Sequence, residues 1–174
     1  MARRSILTLL EGGDRRTIGR SNEVAAMVSE NPRLFPRLIA GMWSEDRLVR
    51  MRAADATEKV TRENRELLRP YKKELLGLMA EAQEQELRWH LAVMIPRLPL
   101  AARERQLAAT LLNRYLEDRS SIVKTLALQG LVDLAQAGPG IRAEVLETLR
   151  EAARNGTAAM KARSRKLLLR LEGV

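Results

Sequence analysis

The sequence predicts an all-α fold, an α-α superhelix of about four two-helix repeats preceded by an N-terminal half-repeat. Three observations lead there. An apolar residue followed by a basic one recurs at Val49-Arg50, Leu87-Arg88, Val123-Lys124 and Met160-Lys161, spaced 36–38 residues apart. Apolar residues return at helical spacing on both sides of each of these anchors. The interior must also be built almost without aromatics, which are 3% of the chain against 45% hydrophobic residues overall. Leu, Ala, Val, Ile and Met must fill it instead, and the chain is rich in good helix formers such as Leu, Ala, Met, Arg and Glu with few β-branched residues.

The helix after each anchor is defined by three further columns. Four residues on stand Ala53, Leu91, Ala127 and Ser164; seven on, Ala56, Met94, Gly130 and Leu167; eleven on, Val60, Leu98, Leu134 and Leu171. On a helix turning about 100° per residue these offsets fall within roughly 60° of one another, so they form one buried stripe. A first helix precedes each anchor, marked by Met42, Ala80, Leu116 and Ala153 seven residues back and by Leu38, Leu76, Leu112 and Leu149 eleven back. Pro32, Pro70 and Gly140 sit near the starts of first helices. Asp46, Asp118 and Asn155 precede second helices, where short polar side chains cap free backbone N–H groups.

A period near 37 residues with two helices per unit describes an α-solenoid, in which each repeat buries its stripe against its neighbours. The expected organisation is a single domain over 1–174, with a cap over 1–30 and repeats over 31–63, 64–99, 100–137 and 138–174. Within the cap, 14–30 reads as a lone second helix with Val24, Ala25 and Val28 turned inward. Pro96 lacks an N–H and clashes with the carbonyl four residues back, so a kink is expected near Ile95 with the helical phase running on to Leu98.

An acidic or amide residue shortly before Val-Arg, followed by an Ala/Leu-rich helix, is similar to the HEAT repeat. The matching residues are Asp46 with Val49-Arg50, Glu84 with Leu87-Arg88, Asp118 with Val123-Lys124 and, more weakly, Asn155 with Met160-Lys161. The resemblance covers roughly residues 31–172. Gly13-Asp14-Arg15-Arg16 and the stretch from Asp118 to Lys124 also resemble uncharacterised bacterial HEAT-repeat proteins. That likeness implies a fold and no activity. It further implies a structural ladder of Asp46, Arg50, Glu84, Arg88, Asp118 and Lys124, in which each basic residue bonds acids or helix ends of its own and the next repeat. The competing reading of the basic column is a ladder of phosphate ligands.

Residues that carry chemistry are scarce. There is one His and no Cys, so neither a thiolate site nor a converging metal-ligand set is expected. His90 is the one imidazole that could serve as a base, and it lies at the margin of a buried stripe. No glycine-rich phosphate loop follows a strand. The chain is therefore expected to be no enzyme and to need no cofactor and no metal. The N-terminal apolar run is too short for a secretion signal, and no window has the roughly 20 apolar residues of a membrane span, so a soluble, cytoplasmic protein is expected.

Formal charge is +9, with 31 basic and 22 acidic residues, and the surplus lies at the two ends. Lys161, Arg163, Lys166 and Arg170 form a basic patch, read either as a phosphate-binding face or as a solvated cap that complements the helix dipole. In HEAT-type solenoids the second helices line the concave side. There, positions two, six and nine after each anchor point away from the buried stripe, Glu58, Thr125, Ala162 and Lys166 among them. Of these positions, Met51, Trp89, Val93, Gln129 and Val132 are the candidate partner contacts, since an apolar cluster with a Trp marks recognition surfaces. The alternative is that Trp89 is covered by a neighbouring helix.

Two functions follow. The first is a scaffold holding a protein or peptide on the concave face. The second is a DNA-binding protein, suggested by a more distant resemblance to the HEAT-like alkylpurine DNA glycosylases. Trp89 with Asp55 or Asp133 would be the nearest counterparts of that family's aromatic and aspartate, though no family motif aligns residue by residue. No membrane or small-molecule partner is indicated.

Overall fold

A computed structural model describes residues 5–14 and 16–173. Among these residues the fold is all-α, with nine α-helices, six short 3-10 segments and no strand. Residues 1–4 and 174 lie outside the described residues, as does Arg15 of the Gly13-Asp14-Arg15-Arg16 stretch. Where the periodicity predicts one domain, the chain gathers into two compact units, one ending at Pro70 and the other beginning at Tyr71.

In the first unit a 3-10 turn, Ile6–Leu9, leads through a loop to α1, Ser21–Glu30. Val24, Ala25 and Val28 of α1 are buried, as the half-repeat reading expects, although the helix starts later than residue 14. A second 3-10 turn, Pro32–Leu34, opens α2, Phe35–Ala40, and α3 spans Arg47–Glu63. Asp46 caps α3 by accepting a 2.7 Å hydrogen bond from the Leu48 N–H. The α3 stripe of Val49, Ala53, Ala56 and Val60 is buried.

Arg52 is the unexpected core residue of this unit. It lies one position before Ala53 and is only 2% exposed. No carboxylate among the described residues balances it. Its guanidinium donates instead to four backbone carbonyls of the N-terminal loop: Leu10 at 2.8 Å, Gly12 at 2.6 Å, Asp14 at 3.0 Å and Thr17 at 3.4 Å. The fixed fork of five N–H donors suits such a cage, and a buried guanidinium without it would be strongly disfavoured. Gly19 lies against the fork with φ of 52°, and a Cβ there would stand 2.8 Å from Arg52 Cζ.

The second unit places α4 (Lys72–Glu81), α6 (Ala102–Tyr115) and α8 (Arg142–Asn155) as first helices. Its second helices are α5 (Gln85–Met94), α7 (Ser121–Ala137) and α9 (Ala158–Glu172). Each of these helix pairs falls inside one of the stretches 64–99, 100–137 and 138–174. Helix α7 packs against α5, α6, α8 and α9. At its centre a Cβ on Gly130 would lie 2.5 Å from the Ala92 carbonyl oxygen of α5 and 3.0 Å from Leu112 of α6. Across the first helices, Lys72 pairs with Glu104 at 2.7 Å and the Tyr115 hydroxyl donates to the Met79 carbonyl at 2.7 Å.

Three expectations need correction. The inward column of the first helices lies eight residues before the anchor, at Gly41, Met79, Tyr115 and Ala152, all buried. Of the column at seven, Met42 is buried, but Ala80 is exposed and Leu116 and Ala153 are half-buried. Adjacent apolar residues offered both registers, and the buried Leu75, Leu76 and Met79 follow helical spacing without Ala80. At the second-helix starts, Ser120 caps α7 and Thr157 caps α9, each through its side chain. Asp118 instead binds the Ser120 N–H, and Asn155 ends α8 bonded to Glu151. At Pro96, α5 stops at Met94 and tightens into a 3-10 turn over Ile95–Arg97, so Leu98 is buried from an extended backbone rather than a continuing helix.

Two glycines test this packing by opposite signs. In a helix interior Gly→Ala normally stabilises by about 0.5–1 kcal/mol. Gly77 of α4 has open space around its Cβ position, so Gly77→Ala should stabilise, whereas Gly130→Ala should destabilise by about 1–3 kcal/mol. Chemical denaturation of both variants checks this, and a stable Gly130→Ala would refute the close approach of α7 to α5. Arg52→Met should leave four carbonyls unsatisfied, cost about 2–4 kcal/mol, and speed tryptic cleavage at Arg16 and Arg20 at least about tenfold. Arg52→Lys should not rescue it, because an ammonium cannot span the cage.

Candidate binding face

The basic column divides into unlike members. In the first unit the Arg50 guanidinium donates to the carbonyls of Ser44 and Glu45 at 2.5 and 2.9 Å. In the second unit Arg88 forms a rung between repeats. It donates to the Ala82 carbonyl at 2.8 Å, to Gln83 at 3.3 Å and to Asp118 of the next repeat at 2.5 Å. Its guanidinium also lies 5.3 Å from the Tyr115 ring centroid, a cation–π distance. Burial pushes the Tyr115 phenol above its ordinary range, with Arg88 opposing the shift and Asp118 adding to it. Glu84 occupies the N-cap position of α5 without capping through its side chain. Lys124 and Lys161 take no side-chain partner among the described residues. A lysine cannot imitate the fork that lets Arg88 bind a carbonyl and a carboxylate together.

The positions of the expected face differ in exposure. Trp89 and Val93 on α5, and Thr125 and Gln129 on α7, are half-buried, while Ala162 and Lys166 on α9 are exposed. Trp89 meets the neighbouring His90 ring edge-on at 5.7 Å. Met51 of α3 is half-buried in the first unit. Val132 is a correction: at 0% exposure it belongs to the core of α7. Glu58, nine residues after its anchor like Val132, is buried too and is held by both ends of the Arg62 guanidinium. Both lie beside buried residues eight after the anchor, Thr57 and Leu131, so the stripe is wider than four columns suggest.

The basic patch also splits. Arg163 donates to Gln129 at 2.6 Å, and Gln129 donates to Asp133 at 2.8 Å. Arg170 pairs with Asp133 at 2.8 Å and donates to Gln136 at 2.5 Å. These bonds knit α9 to α7, so Gln129 is first of all an internal bridge. Lys166 remains exposed without a side-chain partner among the described residues. Of the two aspartates set beside Trp89 by the distant resemblance, Asp133 is in this network. Asp55 accepts from Lys59 at 2.5 Å and from the buried Ser21 hydroxyl.

Two grooves of the second unit were not foreseen. One, of about 320 Å³, lies between α7 and α9 and is lined by Thr125, Leu126, Ala159, Ala162, Arg163 and Lys166. The other, of about 510 Å³, lies between the end of α6 and α8. It has an apolar floor of Leu116, Ala152 and Met160 and a rim that includes Glu117, Glu144, Glu147 and Glu151. The sequence did carry a sign of this rim, three glutamates at helical spacing on α8. The first groove left no such sign, because alanines create it by what they lack.

No family model matches the chain. No curated protein and no solved structure matches it either. The HEAT likeness therefore rests on the repeated columns of the sequence. Among the described residues no group of three or more His, Asp or Glu could hold a metal ion. No helix among them is long and apolar enough to cross a membrane.

The Arg88 rung yields a stability test. Asp118 retains 4% side-chain exposure, so Arg88→Met would leave a buried carboxylate without its cation. The expected cost is about 3 kcal/mol. Adding Asp118→Asn should recover part of it in thermal and urea melts, while equal melts for all three proteins would show that the rung is not structural.

Proposed function

We propose that this chain is a non-enzymatic helical-repeat module that holds a protein or peptide against its second helices, the concave side of a HEAT-type superhelix. One observation carries the reading. The groove between α7 and α9 includes Thr125, Ala162 and Lys166, residues of the face assigned to partner contact, and Trp89 and Val93 stand on α5, which packs beside α7. Half-buried aromatic and aliphatic side chains on rigid helices suit a partner, because little conformational entropy is lost on binding. The nucleic-acid alternative draws on the +9 charge. Of the cations it would use for phosphate, Arg170 is already paired with Asp133, while Arg163 gives one nitrogen to Gln129 and keeps its charge unpaired among the described residues.

The test starts from peptides of about 12 residues selected from a displayed random library on the full chain. Trp89→Ala should weaken the selected peptides by about 2 kcal/mol, roughly thirtyfold, the size of an interface hot spot. Affinity should change little between about 50 and 200 mM salt, whereas duplex DNA would lose affinity steeply over that range. A duplex that outbinds every peptide and ignores Trp89→Ala would overturn the proposal.

A further inference from the structure

We infer that the α7–α9 groove is selective for an acidic peptide segment, seating a small apolar side chain on its floor and a Glu or Asp carboxylate beside Lys166 and Arg163. This rests on the protein-binding reading above and names the partner's chemistry.

The lining is of two kinds. Leu126, Ala159 and Ala162 give an apolar floor, and the alanines open a depression of about 320 Å³, the size of a side chain or two rather than of a folded domain. Around it the charge is of one sign. Arg163 and Lys166 contribute cations, and no Asp or Glu lines the groove. Lys166 is exposed and unpartnered among the described residues. Arg163 has Nη2 bound to Gln129, which fixes the orientation of the fork, while Nε is buried with no acceptor and Nη1 has none either among the described residues. The ligand would gain a prepositioned guanidinium and need not order it. Ala159 and Ala162 lie in the opening turns of α9, a helix of 15 residues with no acid in its first turn. Two cationic side chains beside this floor favour a carboxylate through charge-assisted hydrogen bonds.

Acidic peptide fits these features better than nucleic acid does. A phosphate backbone gains affinity from a track of many cations. Here Arg170, the next cation along α9 after Lys166, is neutralised by Asp133. Neither Lys161 nor Arg165 lines the groove, so the groove itself offers one cationic pair rather than a track. An apolar floor next to a single cationic pair instead matches an apolar residue neighbouring a carboxylate.

The experiment is fluorescence anisotropy on the full chain. The probes are a labelled decapeptide alternating Glu and Leu, the same peptide with Gln for Glu, and a single-stranded oligonucleotide of about ten nucleotides. The Glu peptide should bind at least about tenfold more tightly than the Gln peptide. Lys166→Glu should remove that preference. Ala162→Trp, which fills the depression, should weaken both peptides about tenfold or more. Both positions are exposed, so circular dichroism melts should match the wild type. Equal binding of Glu and Gln peptides, or indifference to both variants, overturns the inference. If displayed peptides still need Trp89 in that case, the broader protein-binding reading survives. If only the oligonucleotide binds and Lys166→Glu abolishes it, both readings fail.

Discussion

The packing of the second unit depends on how closely helix backbones approach α7. That helix is enclosed by α5, α6, α8 and α9, so its side chains must fill gaps on several sides at once. Gly130 is where this is most acute, with the Ala92 carbonyl so near that one added methyl group would overlap it. Small residues at the crossing, Ala92, Ala127 and Gly130, allow that approach. Larger ones such as Leu128, Leu131 and Leu134 occupy the spaces beyond it. With few aromatics available, density comes from short distances between backbones rather than from large side chains.

This mode of packing explains which parts of the fold were legible. The stripe of α7 is unbroken because α5 and α9 flank that helix, and Ala127, Gly130 and Leu134 are buried as the stripe requires, as is Leu91 on α5. The first helices have fewer constraints. Their register slipped by one residue because Met79-Ala80, Tyr115-Leu116 and Ala152-Ala153 each offer two neighbouring apolar choices, and only tertiary contact selects between them. Caps were misassigned for a similar reason. Asp118 and Ser120 are both good caps by composition, and the pull of Arg88 on Asp118 leaves the helix end to Ser120.

Site residues were harder to read, since exposure depends on neighbours distant in sequence. Val132 and Val93 look alike along the chain, yet one is in the core and the other half-buried. A count of cations likewise overstates what is available to a ligand. Arg163 and Arg170 spend hydrogen bonds on Gln129, Asp133 and Gln136, whereas Lys166, from the same helix, spends none among the described residues. A basic helix can thus be partly an adhesive between its neighbours, with the cations free of such bonds among the described residues being Lys161, Arg165 and Lys166.

Arg52 has a different consequence. Its four acceptors are main-chain oxygens, which every amino acid possesses. The clamp therefore reads the path of the loop and not its side chains. Residues such as Glu11 and Thr17 could drift without loosening it, so long as the loop keeps its length and the glycine at position 19 leaves room for the fork. Homologous chains would then look unrelated over this loop while sharing one arginine some 40 residues downstream of its first acceptor. The imprint of the N-terminal structure lies outside the N-terminal sequence.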